Sequence, residues 1–346
     1  MEKEAPPTAP LPDDEWPRPQ AFGRTNLDLI NDCDNFPHPD LDTDLYSETL
    51  AGLYTLHVAD HHATLGFVRP HIAETLQGLP TWDVSPESRT LILLAGVTPP
   101  ERTQIVAQTT SAMRATRHFE DLKFWRDELY PVYGKGGELL FRIERAACPL
   151  FGILVCSVSM TCYVRDGEGF RFWVSRRKRS RAAYSGMLDT TVAGSIGGEE
   201  RPLDALTRMA EVEASLAAGV VKSEARPVGS VSFFQIRDER AGGEAGLLQP
   251  ESQYVYELEL DGERELAPRP DDAEMDDLAL LSTAEVQAAL ARGEFKPSAA
   301  LAMLDFFVRH GILTVENDAD YTDLVSRLHR RLQFPGPRLS GSTKAE

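Results

Sequence analysis

The chain has 346 residues, 42% of them hydrophobic and 26% charged, which is enough for about two globular domains with cores of their own. Its 54 Asp and Glu against 36 Lys and Arg give a net charge of -18. That charge repels phosphate and argues against a general nucleic-acid partner or an anionic membrane surface. The four cysteines show no CxxC or CxxH spacing, which argues against a zinc knuckle.

The two ends of the chain have the composition of disordered tails. Residues 1–24 are acidic and rich in proline, and residues 336–346 are polar, so neither can bury a core. No apolar targeting segment is visible, and the longest apolar runs, LILLAGV and FGILVC, are too short to span a bilayer. We therefore expect a cytoplasmic protein without a membrane partner; the sequence leaves the oligomeric state unknown.

Residues 25–135 are predicted to form a mainly helical N-terminal domain. The segments LDLINDCDNF, SETLAGLYTLHVADHHATLGFVRPHIAETL and PPERTQIVAQTTSAMRATRHF all place apolar residues three to four positions apart, as on one face of a helix. The pair Pro99 and Pro100 before Glu101 is typical of a helix start.

Residues 136–335 are predicted to form a second domain that contains a β-sheet. The runs ELLFRIERAA, FGILVCSVSMTCYVRD and GFRFWVSRR are rich in β-branched and aromatic residues, with Asp166-Gly167 as a turn between two strands. A glycine-rich loop then enters a helix predicted over residues 202–219. Further strands are predicted in VGSVSFFQIRD and SQYVYELEL, and further helices over residues 283–292 and 298–310.

The loop and helix from Gly194 onward carry the most specific motif in the chain. Glu200 follows Gly194 by six residues, Arg208 follows by eight more, and Glu213 by five more. This spacing resembles the box of Nudix hydrolases, in which a loop–helix–loop presents glutamates to a magnesium ion at a substrate diphosphate. Hard cations of this kind take oxygen ligands and bridge phosphate oxygens.

The flanking sequence is similar to one fungal Nudix group related to thiamine pyrophosphokinase, which has an extra N-terminal domain. The resemblance runs through FWRDELYPVYG, YSGMLDTTVAGSIGG, GLLQPESQYVYELEL and FKPSAALAMLDFFVRHGILT. It implies an α+β protein with a Nudix-type α/β/α sandwich and a mixed sheet. It also implies a Mg²⁺- or Mn²⁺-dependent diphosphatase that acts on a thiamine-diphosphate-like compound or on an oxidised nucleotide, as an 8-oxo-dGDP phosphatase does.

The chain departs from that family at polar positions around the expected site. Two of the three helix positions where the family carries metal-binding glutamates are Met209 and Val212, which offer no oxygen to a metal. Other substitutions introduce small hydroxyl side chains at expected pocket positions: Ser159 for His, Thr190 for Asn, Ser195 for Gly and Ser298 for Asn.

The remaining carboxylates define the expected catalytic and metal sites. The resemblance assigns catalysis to Glu213 and Glu200, and metal binding to Glu213 and the distal Glu274, with weak or absent binding of Mg²⁺ expected. A structural ion pair between Glu200 and Arg208 is the preferred alternative for those two residues. An apolar stripe of Met209, Val212 and Leu216 is the alternative for the altered positions.

Five basic residues are predicted to bind the substrate diphosphate, because cationic side chains, guanidiniums above all, bind phosphate oxygens. They are Arg176, Arg177, Lys178, Arg208 and Lys296. For the run that begins at Arg176, a solvated loop is an equally good interpretation.

The sequence therefore predicts a Nudix-type enzyme that is slow or inactive as a diphosphatase. Two alternatives stay open. One is a non-hydrolytic pseudoenzyme or binding module, and the other is a metal-independent isomerase or cyclase with an apolar pocket. The expected partner is a small diphosphate or an apolar small molecule, and not a nucleic acid.

Overall fold

The computed structural model describes residues 23–167, 169–198, 200–261 and 275–338. Most of the two predicted tails, 1–24 and 336–346, lies outside these ranges. Within them, no helix is both long and apolar enough to cross a bilayer.

The first block of the chain combines helices with two small sheets. Its helices are α1 (Asn26–Cys33), α2 (Thr43–Ala51), α3 (Pro70–Glu74) and α4 (Pro99–Thr116). Its strands are β1 (Tyr54–Val58), β2 (Gly66–Val68), β3 (Trp82–Ser85), β4 (Thr90–Leu93), β5 (Leu129–Tyr133) and β6 (Leu139–Glu144). The four-stranded sheet has the order β2-β1-β4-β3 with β1 parallel to β4, and β5 and β6 form a separate antiparallel hairpin.

This sheet corrects the prediction that residues 25–135 are mainly helical. Helices α1 and α4 form where the apolar spacing predicted them, but β1 and β2 occupy the centre of the long stretch that was predicted helical. In β1 the residues Tyr54, Leu56 and Val58 are buried, whereas Thr55 and His57 are only half-buried. Burial at every second residue is the period of a strand. Apolar residues are so dense here that they also satisfied the helical spacing.

The second block contains the longer strands and the remaining helices. Its strands are β7 (Val155–Asp166), β8 (Gly169–Arg177), β9 (Leu188–Asp189), β10 (Val192–Ser195), β11 (Arg226–Ile236), β12 (Leu248–Glu259) and β13 (Met275–Ser282). Its helices are α5 (Cys148–Phe151), α6 (Pro202–Glu213), α7 (Ala218–Glu224), α8 (Thr283–Ala291), α9 (Pro297–Arg309) and α10 (Tyr321–Arg327).

The large sheet is mixed, as predicted. Its main path runs β11-β12-β7-β8-β13, with β10 added alongside β7 and β9 alongside β8. Strands β12 and β7 are parallel, and the other pairs in this sheet are antiparallel. The α+β fold class is therefore confirmed.

Helices cover both faces of this sheet. Along β7, Val158 and Met160 point to the face where α6 packs, and they share a core with Leu206 of that helix. The intervening Ser157, Ser159 and Thr161 point to the other face because side chains alternate along a strand. Helices α1 and α9 cover that second face, which completes an α/β/α sandwich.

Helix α1 is the first element of the first block in sequence, but it packs in the core of the second block. The Thr25 hydroxyl accepts a hydrogen bond from the N–H of Asp28, and the Asp28 carboxylate accepts one from the N–H of Thr25. Leu29, Ile30 and Cys33 are buried among the side chains of α8, α9 and α10. Helix α1 thus packs against the three helices that come last in the described sequence.

The helix predicted over residues 202–219 is two helices. α6 ends at Glu213, and Ser215 has a φ of 52°, in the left-handed region that interrupts a helix. Gly219 lies inside α7 and does not end a helix. The short break turns the chain back along the sheet, and it leaves Glu213 at the last position of α6.

Candidate active site

Helix α6 packs closely against β10 at Gly194. A Cβ built on Gly194 would lie 2.6 Å from the Sδ atom of Met209, so a larger residue at this position would require the Met209 side chain to shift. Met209 is 8% exposed and belongs to the core on the α6 face. One of the two missing glutamate positions therefore carries a packed core side chain.

Val212, the other altered position, is 38% exposed and lies outside that core. Leu216 is buried in it with Met209. The predicted apolar stripe of these three side chains is thus correct for Met209 and Leu216 and wrong for Val212. Leu216 lies beyond the end of α6 at Glu213, so the turn that follows the helix places its side chain in the core.

Glu213 is the one carboxylate left at the three expected box positions, and it is buried. Its Oε2 atom accepts a hydrogen bond of 3.1 Å from the backbone N–H of Ala193 on β10. The carboxylate thereby fixes the C-terminal end of α6 to the sheet. Such a link serves the fold whether or not a metal binds.

Glu200 and Arg208 form the predicted ion pair. Arg208 donates from Nε and Nη2 to the two carboxylate oxygens of Glu200, at 3.1 and 2.8 Å, and this bond raises the pKa of the guanidinium. The Arg208 side chain is 58% exposed, so the pair adds little stability, but it ties the loop to α6. The catalytic role of Glu200 stays a prediction.

Among the described residues, the oxygen donors around α6 do not match the needs of Mg²⁺ or Mn²⁺. These ions take six oxygen ligands, whereas Met209 and Val212 supply none. In the described ranges, no group of three or more His, Cys, Asp and Glu side chains is placed to hold a metal ion. The second predicted ligand, Glu274, lies outside the described residues.

A large cavity opens between the first block and the sheet, and we call it the main cavity. Its volume is about 1110 Å³. Its walls include two short 3₁₀ helices (Asp121–Phe124 and Arg145–Ala147), the β5–β6 hairpin, the box loop, α6 and strands β11 and β12. Among the described residues, eight basic and six acidic side chains line it. They are Arg126, Arg142, Arg145, Arg177, Arg181, Arg208, Arg237, Lys296, Asp121, Asp127, Glu128, Glu200, Glu213 and Glu251.

The structure brings three of the five predicted diphosphate-binding cations to this cavity. Arg177, Arg208 and Lys296 line it, whereas Arg176 and Lys178 do not. Arg176 is exposed and donates to the carbonyl of Gly186. Arg176 and Arg177 have different surroundings because consecutive residues at the end of a strand point to opposite faces.

Arg177 and Lys296 share one buried carboxylate. The Arg177 guanidinium lies 3.1 Å from Oδ2 of Asp189, and the Lys296 ammonium lies 3.6 Å from the same oxygen. Asp189 is fully buried, so its single negative charge is matched against two positive charges. This corner of the cavity therefore keeps a positive excess in a chain whose net charge is -18.

Four of the six predicted pocket residues line the main cavity: Ser195, Met209, Val212 and Ser298. Ser159 and Thr190 do not line the cavity. Both are buried, each 1% exposed. The Thr190 hydroxyl donates to the carbonyl of Val192. The Ser159 hydroxyl has no hydrogen-bond partner within the described part of the chain, so it is a buried polar group that is left unsatisfied.

The sequence interpretation missed a polar group on β7, β11 and β12. The Glu251 carboxylate accepts 2.6 Å from the Ser157 hydroxyl and 3.0 Å from Nε2 of Gln249. Gln235 and Gln253 line the cavity beside it. A signal was present, because Gln249, Glu251 and Gln253 put a polar residue at every second position of the first half of β12.

Comparisons with known proteins find sequence similarity to an uncharacterised yeast protein and to plant Nudix hydrolases. A family model described as a domain of unknown function, DUF4743, matches residues 27–155. An uncharacterised protein of Saccharomyces cerevisiae is 29% identical over 326 residues, which is 90% of this chain and 93% of that protein. The chloroplastic Nudix hydrolase 20 of Arabidopsis thaliana is 33% identical over 215 residues, 60% of this chain. The chain is related to Nudix hydrolases.

The relationship covers only part of the plant enzyme, since the chain spans 53% of the length of Nudix hydrolase 20. Among solved structures, a protein of Deinococcus radiodurans is similar at 20% identity and a TM-score of 0.36. The match covers 59% of this chain and 100% of that protein.

Proposed function

We propose that this chain is a Nudix-related protein that binds a small organic diphosphate in the main cavity and hydrolyses it slowly or not at all. The observation that carries the proposal is the composition of α6. Of its three expected metal-ligand positions, one is a packed Met209, one is Val212, and the third is Glu213, which is held by Ala193. The resemblance suggests a thiamine-diphosphate-like compound or an oxidised nucleotide diphosphate as the ligand.

The charges of the cavity support an anionic ligand. Basic side chains outnumber acidic ones in the described lining, although the chain as a whole is strongly acidic. Arg177, Arg208 and Lys296 carry the two kinds of head group that bind phosphate oxygens, the bidentate guanidinium and the compact ammonium.

The expected loss of hydrolysis follows from the missing oxygen donors. Changing groups that merely support a metal ligand costs roughly 10–100-fold in affinity or activity. Losing a general base costs roughly a hundred- to ten-thousand-fold. Two absent ligand carboxylates should therefore suppress metal-dependent turnover by several orders of magnitude.

The charged lining also bears on the two alternatives. A non-hydrolytic binding module is the limiting case of the proposal, in which turnover is zero. A metal-independent isomerase or cyclase for an apolar substrate is disfavoured, because such a substrate would bury the ion pairs of Arg208 and Arg177 against hydrocarbon.

Calorimetry combined with a phosphate-release assay tests the proposal. Pyrophosphate and thiamine diphosphate are titrated into the full chain with and without Mg²⁺, and released phosphate is followed in the same samples. We expect binding that does not require Mg²⁺, together with negligible release. If neither ligand binds, the proposal of a diphosphate-binding cavity is wrong. If phosphate is released rapidly and only with Mg²⁺, the proposal that hydrolysis is lost is wrong.

A further inference from the structure

A second cavity lies on the α6 face of the large sheet, and we call it the rear cavity. Its volume is about 770 Å³, the size of a typical small-molecule site. Tyr254 and Tyr256 of β12 line it, whereas Glu251 and Gln253 of the same strand line the main cavity. Because side chains alternate along a strand, the two cavities meet opposite faces of β12. A diphosphate in the main cavity therefore does not explain the rear cavity.

A thin wall separates the rear cavity from the main cavity. It is formed by the β5–β6 hairpin, the start of β7 and the box loop, and five residues line both cavities: Tyr130, Arg142, Val155, Gly198 and Glu200. On its other side, the rear cavity is bounded by the last described residues of the chain. There Arg338 donates from Nη2 to the carbonyl of Lys135 at 3.3 Å. Separate walls thus enclose a separate space.

The interior of the rear cavity is aromatic and apolar. Among the described residues, four tyrosines and four prolines line it, with aliphatic side chains between them. Burial raises the pKa of Tyr254 to about 12 and also raises the pKa of Tyr256, so both phenols stay uncharged at neutral pH and do not repel an anion. Aromatic rings in contact contribute free energy beyond the area they bury. The lining therefore favours a planar aromatic body over a flexible alkyl chain.

The charged side chains of the rear cavity are mainly basic. Within the described lining, Arg142, Arg201 and Arg338 stand against the single acid Glu200. Both carboxylate oxygens of Glu200 already accept from Arg208. The Arg201 guanidinium is exposed and has no ion pair or hydrogen bond with any residue that the structure describes. A guanidinium binds one carboxylate through two parallel hydrogen bonds, so the cavity has room for one acidic group at Arg201.

We propose that the rear cavity is a second ligand site and that it binds an aromatic carboxylic acid. The aromatic body lies against the rings of Tyr254 and Tyr256, and the carboxylate pairs with Arg201. This site goes beyond the proposed function and does not depend on it, since neither the ligand nor its contacts involve the cations of the main cavity.

The test uses three probes that differ in one property each. 2-Naphthoate has a planar ring and a charge, 2-naphthamide has the ring without the charge, and decanoate has the charge on an alkyl chain. They are titrated calorimetrically into the full chain and into Arg201→Met and Tyr254→Leu. Arg117→Met and Tyr321→Leu, at positions that line neither cavity, are the matched controls. Thermal unfolding of each variant confirms that the fold is kept.

The wild type should bind 2-naphthoate about tenfold more tightly than 2-naphthamide and at least about threefold more tightly than decanoate. Arg201→Met should abolish the first preference, and Tyr254→Leu should abolish the second. The controls should keep both. The inference is overturned if 2-naphthoate shows no saturable binding, if the wild type binds the three probes equally, or if the controls lose as much affinity as the two cavity variants.

Pyrophosphate and Lys296→Met separate this inference from the proposed function, because Lys296 lines the main cavity and not the rear cavity. Saturating pyrophosphate and Lys296→Met should each leave the affinity for 2-naphthoate within about twofold of its wild-type value. Displacement of 2-naphthoate by pyrophosphate, or its loss in Lys296→Met, would place it in the main cavity and overturn the rear site alone. If pyrophosphate fails to bind while 2-naphthoate binds in an Arg201-dependent way, the diphosphate proposal is lost and the rear site stands.

Discussion

Glu213 shows how a residue expected to hold a metal can instead hold the fold. Replacement by Ala leaves the Ala193 N–H buried without its acceptor, and we expect this to lower the free energy of unfolding by about 1–3 kcal/mol. Glu213→Gln keeps an acceptor oxygen and should cost less. Urea denaturation measures both, with exposed Glu224→Ala as the control, expected within about 0.5 kcal/mol of wild type. Equal losses for Ala and Gln would show that charge, and not this hydrogen bond, matters.

The two altered box positions should respond differently when a carboxylate is restored. Val212 is partly exposed, so Val212→Glu should change the free energy of unfolding by no more than about 0.5 kcal/mol. Met209 is packed against Gly194, so Met209→Glu buries an unpaired acid and should cost at least about 2 kcal/mol. Urea denaturation in metal-free buffer gives both values. A stable Met209→Glu variant would mean that the side chain escapes to solvent.

At the scale of elements, the contact between β10 and α6 determines the shape of the site. Gly194→Ala places a methyl group against Met209 Sδ, the far end of a flexible side chain that has to shift, and should cost about 1 kcal/mol in the free energy of unfolding. Gly219→Ala is the matched control, since nothing lies within 4 Å of its new Cβ and the helix gains propensity. The double variant Gly194→Ala with Met209→Ala should lose less unfolding free energy than the sum of the losses of the two single variants. If the losses measured by urea unfolding simply add in the double variant, the close contact between residues 194 and 209 is contradicted.

Sequence patterns located the elements of the second block better than those of the first. Strands β7, β8, β11 and β12 and helices α8 and α9 were predicted close to their observed bounds, because long strands and capped helices have distinct periods. The short strands β1 to β4 were missed, since three to five residues cannot establish a period against a dense apolar background. The box loop and its ion pair were predicted because they are local in sequence.

The polar group around Glu251 could not be predicted in the same way. Its members come from β7, β11 and β12, up to 94 residues apart for the bond between Ser157 and Glu251, and only the sheet order brings them together. Likewise, Arg176 and Arg177 are neighbours in sequence and reach different surroundings.

At the scale of the whole molecule, Asp34 joins the start of the chain to its end. Its Oδ1 accepts from the Phe234 N–H and from Arg330 at 2.9 Å each, and Oδ2 lies 2.6 Å from His38. Burial alone would raise the pKa of Asp34, but the bond to His38, the charge of Arg330 and the Phe234 N–H outweigh it and lower the pKa.

Asp34→Asn should therefore destabilise the protein in a pH-dependent way. It leaves the Arg330 guanidinium buried without its counter-charge, and we expect a loss of about 3–5 kcal/mol near neutral pH. Because the folded pKa is below the unfolded value of about 3.9, the contribution of the ionised carboxylate is complete above that pH and is lost as the pH falls through the folded pKa. Urea titrations from pH 7 to pH 3 should show that the unfolding free energies of the wild type and of Asp34→Asn become equal only below about pH 4. Convergence already at pH 6 would contradict this account.

The central claim is that the box helix has lost the oxygen donors for a divalent cation, and calorimetric titration of Mn²⁺ tests it most directly. We predict no saturable binding to the wild type up to millimolar Mn²⁺, and a new site in the double variant Met209→Glu with Val212→Glu. Tight, saturable binding of Mn²⁺ to the unmodified chain, abolished by Glu213→Gln, would contradict the account.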